Sequence, residues 1–196
     1  MGLFTVEELR EVISVKVLAG QDSLSGKRRI RQVSTDSRSV RRGDLFVALR
    51  GDRFDGHEFV PDVLAKGAAG AIVHDEYRLP PSSAAVRRIE GSSAPFLFGV
   101  RDPLFAYQQL ATHYRSRFHI PVVAVTGSNG KTTTKEMVAA VLAQRWPVLK
   151  TEGNFNNRIG VPSTLFRLTA RHQAAVIEMG VDQLGQTTRL CEIVRP

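Results

Sequence analysis

Val122-Val123-Ala124-Val125-Thr126-Gly127-Ser128-Asn129-Gly130-Lys131-Thr132-Thr133 is the stretch whose reading decides the fold. Four apolar residues in a row show no in-out alternation, as expected of a strand covered on both faces of a parallel sheet. A glycine turn then delivers the chain into a helical pattern. In a strand–turn–helix of this kind, backbone N–H groups and the positive end of the helix dipole converge on an anion. Gly127 and Gly130 keep side chains out of the way and permit positive φ. Lys131 adds a cation able to reach β- and γ-phosphates, and the Thr132 hydroxyl stands where such loops hold Mg²⁺. Gly127, Ser128, Asn129, Gly130, Lys131, Thr132 and Thr133 therefore form an expected phosphate cradle, with ATP and Mg²⁺ as its expected occupants. The strict spacing G-x-x-x-x-G-K-[ST] is not met, because Val125 stands where its first glycine belongs. A bare glycine turn explains the two glycines but not Lys131 and Thr132 behind them.

Downstream, the pattern alternates. A helix is expected over about 131–145, with Val138, Val141 and Arg145 in register with Thr134. Val148-Leu149-Lys150 reads as a strand, 154–158 as a polar loop and 160–168 as a helix. Ala174-Ala175-Val176-Ile177-Glu178 reads as a second buried strand, and 184–194 as a last helix. Repeated β-α-β order with apolar strands implies a parallel sheet with right-handed crossovers.

Upstream, Thr5 with Glu8 three residues on marks a capping box, and Val6, Leu9, Val12 and Ile13 share one helical face. Strands are expected around 32–34 and 44–49, 69–73 and 96–100, with a helix from about His57 to Lys66 stopped by Gly67. Pro80-Pro81-Ser82-Ser83 reads as a loop. Asp102-Pro103 is a strong helix start, and that helix runs to about Arg117. The character changes at Ile120-Pro121, which places a boundary near 117–121. The expected organisation is a small α/β domain over 1–118 followed by part of a parallel-sheet, phosphate-loop domain over 119–196.

Composition bounds the rest. The chain has 196 residues, 42% apolar and 23% charged, which is enough to build a core. The net charge of +8 favours anionic partners, although charge runs such as Lys27-Arg28-Arg29 and Arg41-Arg42 are usually solvated surface. The basic runs lack interleaved aromatics and any groove-reading motif, which argues against a nucleic-acid binder. One cysteine, Cys191, leaves no intramolecular disulfide and fits a reducing, cytoplasmic setting. The N-terminus carries no signal-peptide pattern, no myristoylation pattern is met, and no apolar run has spanning length. Oligomeric state is not legible, and a monomer is the expectation.

Three motifs in order are specific. Val125 to Met137 resembles the ATP loop of the Mur ligases, the enzymes that build the peptide stem of peptidoglycan. Thr35-Asp36-Ser37-Arg38 with Gly43-Asp44-Leu45-Phe46-Val47-Ala48-Leu49-Arg50-Gly51-Asp52-Arg53-Phe54-Asp55-Gly56-His57 resembles the family's N-terminal domain for the UDP-linked substrate. Gly153-Asn154-Phe155-Asn156-Asn157-Arg158-Ile159-Gly160-Val161-Pro162 is similar to the branch that adds D-alanyl-D-alanine. The third ligase of the series, which adds an amino acid to UDP-MurNAc-dipeptide, is the nearest competitor.

The resemblance implies ATP-driven amide formation between UDP-MurNAc-tripeptide and D-Ala-D-Ala through an acyl phosphate. It implies Lys131, Glu178 and Asn157 as catalytic residues, with Thr132 and Glu178 on Mg²⁺. It implies Thr35, Ser37, Arg38, Asp52, Arg53, Phe54 and Asn154 as substrate contacts. Each has a plainer alternative: a strand-end acid for Glu178, turn-forming asparagines for Asn154 and Asn157, an ion-pair partner for Arg38. His57 reads as a helix-start residue. Where the family continues G-x-N-x-x-G-E, this chain has Asp182 and Gln186. The family's remaining central segment and amine-binding domain have no counterpart before Pro196, so the expectation is that these 196 residues alone lack full turnover. A non-catalytic module binding a UDP-sugar or nucleotide is the alternative of a different class.

Overall fold

The computed structural model describes residues 2–21, 24, 28–51, 54–80, 94–181 and 185–196. It divides into two compact units, Met1–Tyr107 and Gln108–Pro196.

The first unit begins with strand β1 (Phe4–Thr5) and helix α1 (Val6–Val12). The capping box is formed: the Glu8 amide donates to Thr5 Oγ1 at 3.2 Å, and the Thr5 amide donates to the Glu8 carboxylate at 2.6 Å. Val6, Leu9 and Ile13 are buried, as the helical spacing requires. Strands β2 (Lys16–Ala19), β3 (Arg29–Ile30), β4 (Val33–Ser34), β5 (Leu45–Val47), β6 (Gly70–His74) and β7 (Phe96–Val100) follow. β1 pairs with β3 in an antiparallel ribbon, and the other five form a sheet ordered β2-β7-β6-β5-β4. Its pairs are parallel except β2 with β7. β5 and β7 are buried along their whole length and β6 at all but His74, consistent with their near-continuous apolar sequence. A 3₁₀ turn (Gly56–Phe59) leads into α2 (Val60–Ala65), whose Val60, Val63 and Leu64 pack with Phe46, Ala71 and Val73. Sequence periodicity misses β1, β2 and β3. They are too short or too exposed to show a pattern, and pairing with distant strands makes them. Of the loop expected over 80–83, all but Pro80 lies outside the described residues.

Helix α3 (Pro103–Ser116) starts at Asp102, whose carboxylate accepts from the Phe105 amide at 3.0 Å. The division between units falls inside this helix, ten residues before the boundary expected from the sequence. The reason lies in the side chains of its second half. Tyr114 donates its hydroxyl to the Leu168 carbonyl at 2.7 Å. Arg115, buried, donates to the carbonyls of Val194, Phe118, Ile120 and Arg195. A change of composition marks where the strand begins; it does not report which unit a helix packs with.

The second unit continues with β8 (Val122–Val125), α4 (Lys131–Ala143), β9 (Val148–Lys150), α5 (Gly160–Leu165), β10 (Ala174–Glu178) and α6 (Gln186–Val194). Its sheet is parallel, ordered β8-β10-β9, with β10 central and fully buried. β8, expected to be covered on both faces, has only Val125 buried and leaves Val123 exposed, because among the described residues it stands at the edge of this sheet with β10 as its one partner. Val125 pairs with Glu178 at the C-terminal ends of their strands. The buried face of α4 differs from the expected row. Lys135 and Ala139 point inward, and Val138 and Leu142 pack against Val125 and Val176. Val141 is 71% exposed. At about 100° per residue, it lies about 200° around the helix from Ala139.

Replacing Arg115 with methionine strands four carbonyls at the α6 terminus and the β8 entrance. Thermal or urea unfolding is expected to show a loss of about 2–4 kcal/mol.

Candidate functional site

The turn between β8 and α4 is shaped by two glycines. Gly127 has φ 139° and Gly130, which caps α4, has φ 73°. Both values lie where side-chain-bearing residues are strained. A Cβ added at Gly130 would meet nothing within 4 Å, so the demand for glycine is conformational and the space above the turn is open. The turn residues 126–130 are all exposed. Lys131 folds back over the turn, its Nζ donating to the Gly127 carbonyl at 2.7 Å and the Ser128 carbonyl at 3.4 Å. Thr133 is exposed on the first turn of α4.

Glu178 is the centre of the arrangement. It is 1% exposed, at the end of β10 and beside the end of β8. Thr132 donates its hydroxyl to Glu178 Oε2 at 3.1 Å, and Asn156 donates Nδ2–H to Oε1 at 2.8 Å. The Glu178 amide donates to Thr151 Oγ1 at 2.9 Å. Lys135 Nζ donates to the Thr151 carbonyl at 2.8 Å and lies 3.6 Å from Glu178 Oε2. Gly180 makes room for Asn156: a Cβ there would stand 2.9 Å from the Asn156 carboxamide oxygen. The strand-end acid expected from the sequence is thus met by side chains from α4 and from the segment after β9.

A Mg²⁺ ion suits this donor set. The Glu178 carboxylate and the Thr132 hydroxyl are hard oxygen donors within 3.1 Å of each other, beside an open glycine turn. Mg²⁺ commonly takes one or two protein oxygens and completes its shell with phosphate and water. Among the described residues no cluster of three or more His, Cys, Asp or Glu side chains surrounds a point, as an all-protein metal cage would need.

The asparagine motif divides. Asn157 Oδ1 accepts from the amides of Ile159 at 3.0 Å and Gly160 at 2.8 Å, the role of a helix-starting turn for α5. Asn154 is exposed, and its carbonyl accepts from the Asn156 amide at 2.7 Å. Asn156, the residue between the two singled out from the sequence, is the one that reaches Glu178. Three asparagines within four positions carry no signal for which one faces the acid. Lys135 carries no such signal either: a lysine on a helix reads as solvated surface until the sheet covers it.

In the first unit, Asp36 and Arg38 form a bidentate pair, Nη2–Oδ2 and Nε–Oδ1 both at 2.9 Å. Arg38 is nonetheless 88% exposed on its side chain. Its hydrogen bonds hold the Asp36 carboxyl below its ordinary value. Thr35 and Ser37 flank Asp36 and are half-buried, and the Ser37 carbonyl accepts from Lys66 Nζ at 3.3 Å. Phe54 is 73% exposed, and Asp52 and Arg53 lie outside the described residues. Behind Phe54, Asp55 accepts from the His57 amide at 3.0 Å and from Arg50 Nε at 3.0 Å. His57 Nδ1 is 2.6 Å from Asp55, and Nε2 accepts from the His74 amide at 2.9 Å. That amide bond assigns the imidazole proton to Nδ1. His57 thus ties the start of the helical segment to the end of β6.

The model of the Mur ligase family catalytic domain matches residues 29–151, and that of the Mur ligase middle domain matches residues 125–196. The chain belongs to the Mur ligase family. A curated relative from Synechocystis sp., named UDP-N-acetylmuramoyl-tripeptide--D-alanyl-D-alanine ligase, is 48% identical over 100% of this chain and 40% of its own length. The relative of the same name from Escherichia coli is 40% identical over 98% of this chain and 38% of its own. A crystal structure of MurF from Acinetobacter baumannii superposes with a TM-score of 0.82 at 35% identity, covering 98% of this chain and 39% of that one. MurF ligase from Thermotoga maritima, solved in complex with ADP, gives 0.69 at 33% identity, covering 83% and 35%. This Mur ligase chain spans about two fifths of the length of these curated relatives. The α/β architecture with parallel sheets expected from the sequence is the one these structures share. No helix among the described residues is long and apolar enough to cross a membrane.

Burial alone would raise the Asp55 carboxyl, but the His57 amide, the His57 ring and Arg50 outweigh it and hold it at about 2. A depressed carboxyl contributes stability above its unfolded value near 4 and loses it as pH falls through the folded value. Stability attributable to Asp55, up to about 2 kcal/mol, should disappear between about pH 4 and pH 2. D55N should be less stable at neutral pH and flatter across that window in urea titrations.

Proposed function

We propose that this chain is the UDP-substrate-binding and leading nucleotide-binding portion of an ATP-dependent ligase joining D-alanyl-D-alanine to UDP-MurNAc-tripeptide. The observation that carries the proposal is the meeting of Thr132 and Glu178 at 3.1 Å beside an open glycine turn that ends in Lys131. The names of relatives that match nearly the whole chain support the substrates, and the ADP bound by the Thermotoga maritima structure supports the nucleotide.

On this reading the amides of Gly127, Ser128, Asn129, Gly130, Lys131, Thr132 and Thr133 receive the polyphosphate. Lys131 leaves its own loop carbonyls and neutralises the β- and γ-phosphates. Glu178 and Thr132 hold Mg²⁺, which when bound draws charge off the transferring phosphoryl group. Asn154 lies in the loop facing substrate, and Asn157 acts by holding the start of α5. The tripeptide carboxylate oxygen attacks the γ-phosphorus and ADP leaves, giving an acyl phosphate. The D-Ala-D-Ala amine then attacks the acyl carbon, loses a proton and expels phosphate. The chain's share of this chemistry is positioning and charge neutralisation, which supply most of the catalysis in phosphoryl transfer. The unit Met1–Tyr107 serves the UDP-linked substrate and the unit Gln108–Pro196 begins the ATP domain. Thr35, Ser37, Arg38, Asp52, Arg53 and Phe54 receive the uridine and diphosphate, and Arg38 is suited to this by an exposed guanidinium. The setting is the cytoplasm, where ATP and the UDP-linked precursor meet.

Calorimetric titration of the chain with ATP and Mg²⁺ should show binding. K131M should weaken it at least tenfold, about 1.4 kcal/mol, and E178Q should abolish the gain in affinity conferred by Mg²⁺. UDP-MurNAc-tripeptide should bind independently of K131M. A chain that binds neither ligand would overturn the proposal.

A further inference from the structure

α4 carries two lysines one turn apart with opposite surroundings. Lys131 sits at the exposed turn. Lys135 is 1% exposed and directed beneath it. Its ammonium donates to the Thr151 carbonyl at 2.8 Å and forms ion pairs with Glu136 Oε1 at 3.2 Å and Glu178 Oε2 at 3.6 Å. Thr151 in turn accepts the Glu178 amide through its hydroxyl. Lys135, Thr151 and Glu178 therefore close a ring that joins α4, the end of β9 and the end of β10.

We propose that Lys135 is the positioning residue of the metal site: from beneath the sheet it holds the Glu178 carboxylate in the orientation that, with Thr132, receives Mg²⁺. The inference rests on the reading of Glu178 as the metal carboxylate. Burying an ammonium and a carboxylate together is costly before their attraction is counted. An apolar side chain would fill the same space without that cost, so the pair is explained by what it holds in place. Glu178 Oε1 is fixed from the other side by Asn156 and Oε2 by Thr132 and Lys135. When Thr132 turns its oxygen to a metal, Lys135 remains as the cation beside Oε2. Lys131 does not do this work: its Nζ lies on the loop carbonyls, and on the proposed reading it moves from them to the phosphates.

The test is ATP affinity with and without Mg²⁺, measured by calorimetry on the parent chain, K135M, E178Q and K135M/E178Q, with thermal unfolding alongside. In K135M the Mg²⁺-dependent gain in affinity should fall at least tenfold, while affinity for metal-free ATP stays within about threefold. K135M should add nothing further in the E178Q background. A K135M chain that keeps the full Mg²⁺ gain overturns the inference. So does one that loses metal-free and Mg²⁺-bound ATP in equal proportion, the mark of a merely structural role. If K135M does not fold, the double variant, which removes both buried charges, is expected to fold. Its failure would make Lys135 a prop for the Thr151 carbonyl alone and also overturn the inference. A parent chain that binds no ATP removes the functional reading itself, and one that binds ATP without Mg²⁺ dependence removes the metal reading and this inference together.

Discussion

A buried carboxylate must have its oxygens satisfied, and in the second unit that requirement governs everything around Glu178. Water is excluded from a residue 1% exposed, so each partner has to come from the protein. The partners of its oxygens arrive from two segments, Thr132 and Lys135 from α4 and Asn156 from the loop after β9, while the Thr151 hydroxyl just beyond β9 accepts the Glu178 backbone amide. Register decides the meeting point, because the pairing of Glu178 with Val125 brings the acid level with the start of the glycine turn. A shift of one residue in β10 would turn the carboxylate to the other face of the sheet.

The glycine turn and the acid are built by different physics. Positive φ at Gly127 and Gly130 is a local property of the backbone, and it leaves the turn open and its amides exposed. The acid's surroundings are long-range, joining residues up to 46 positions apart in the chain. The site therefore combines an exposed glycine turn with a buried oxygen donor. That combination suits a polyphosphate outside and a small hard cation between the two.

The first unit satisfies its charges in a different way. Asp36 holds Arg38 in a fixed fork while leaving the guanidinium in solvent, an arrangement that presents charge without burying it. His57 uses both ring nitrogens, one toward Asp55 and one to the His74 amide, so it serves the packing of its segment rather than proton transfer.

By itself the sequence determined what depends on nearest neighbours and simple periods. The apolar runs of β8 and β10, the capping box of α1, the Asp102-Pro103 helix start and the glycine turn with Lys131 and Thr132 were all legible, and so was the family. Glu178 was legible because it ends an apolar run. The tertiary structure alone decided which asparagine of 154, 156 and 157 reaches that acid, and that Lys135 rather than Val141 lies on the buried face of α4. It also decided that the second half of α3 belongs with the later unit. Each of these depends on helix rotation, strand register or hydrogen bonds between distant segments. Composition and spacing do not encode such relations, because they arise only when the elements are packed together.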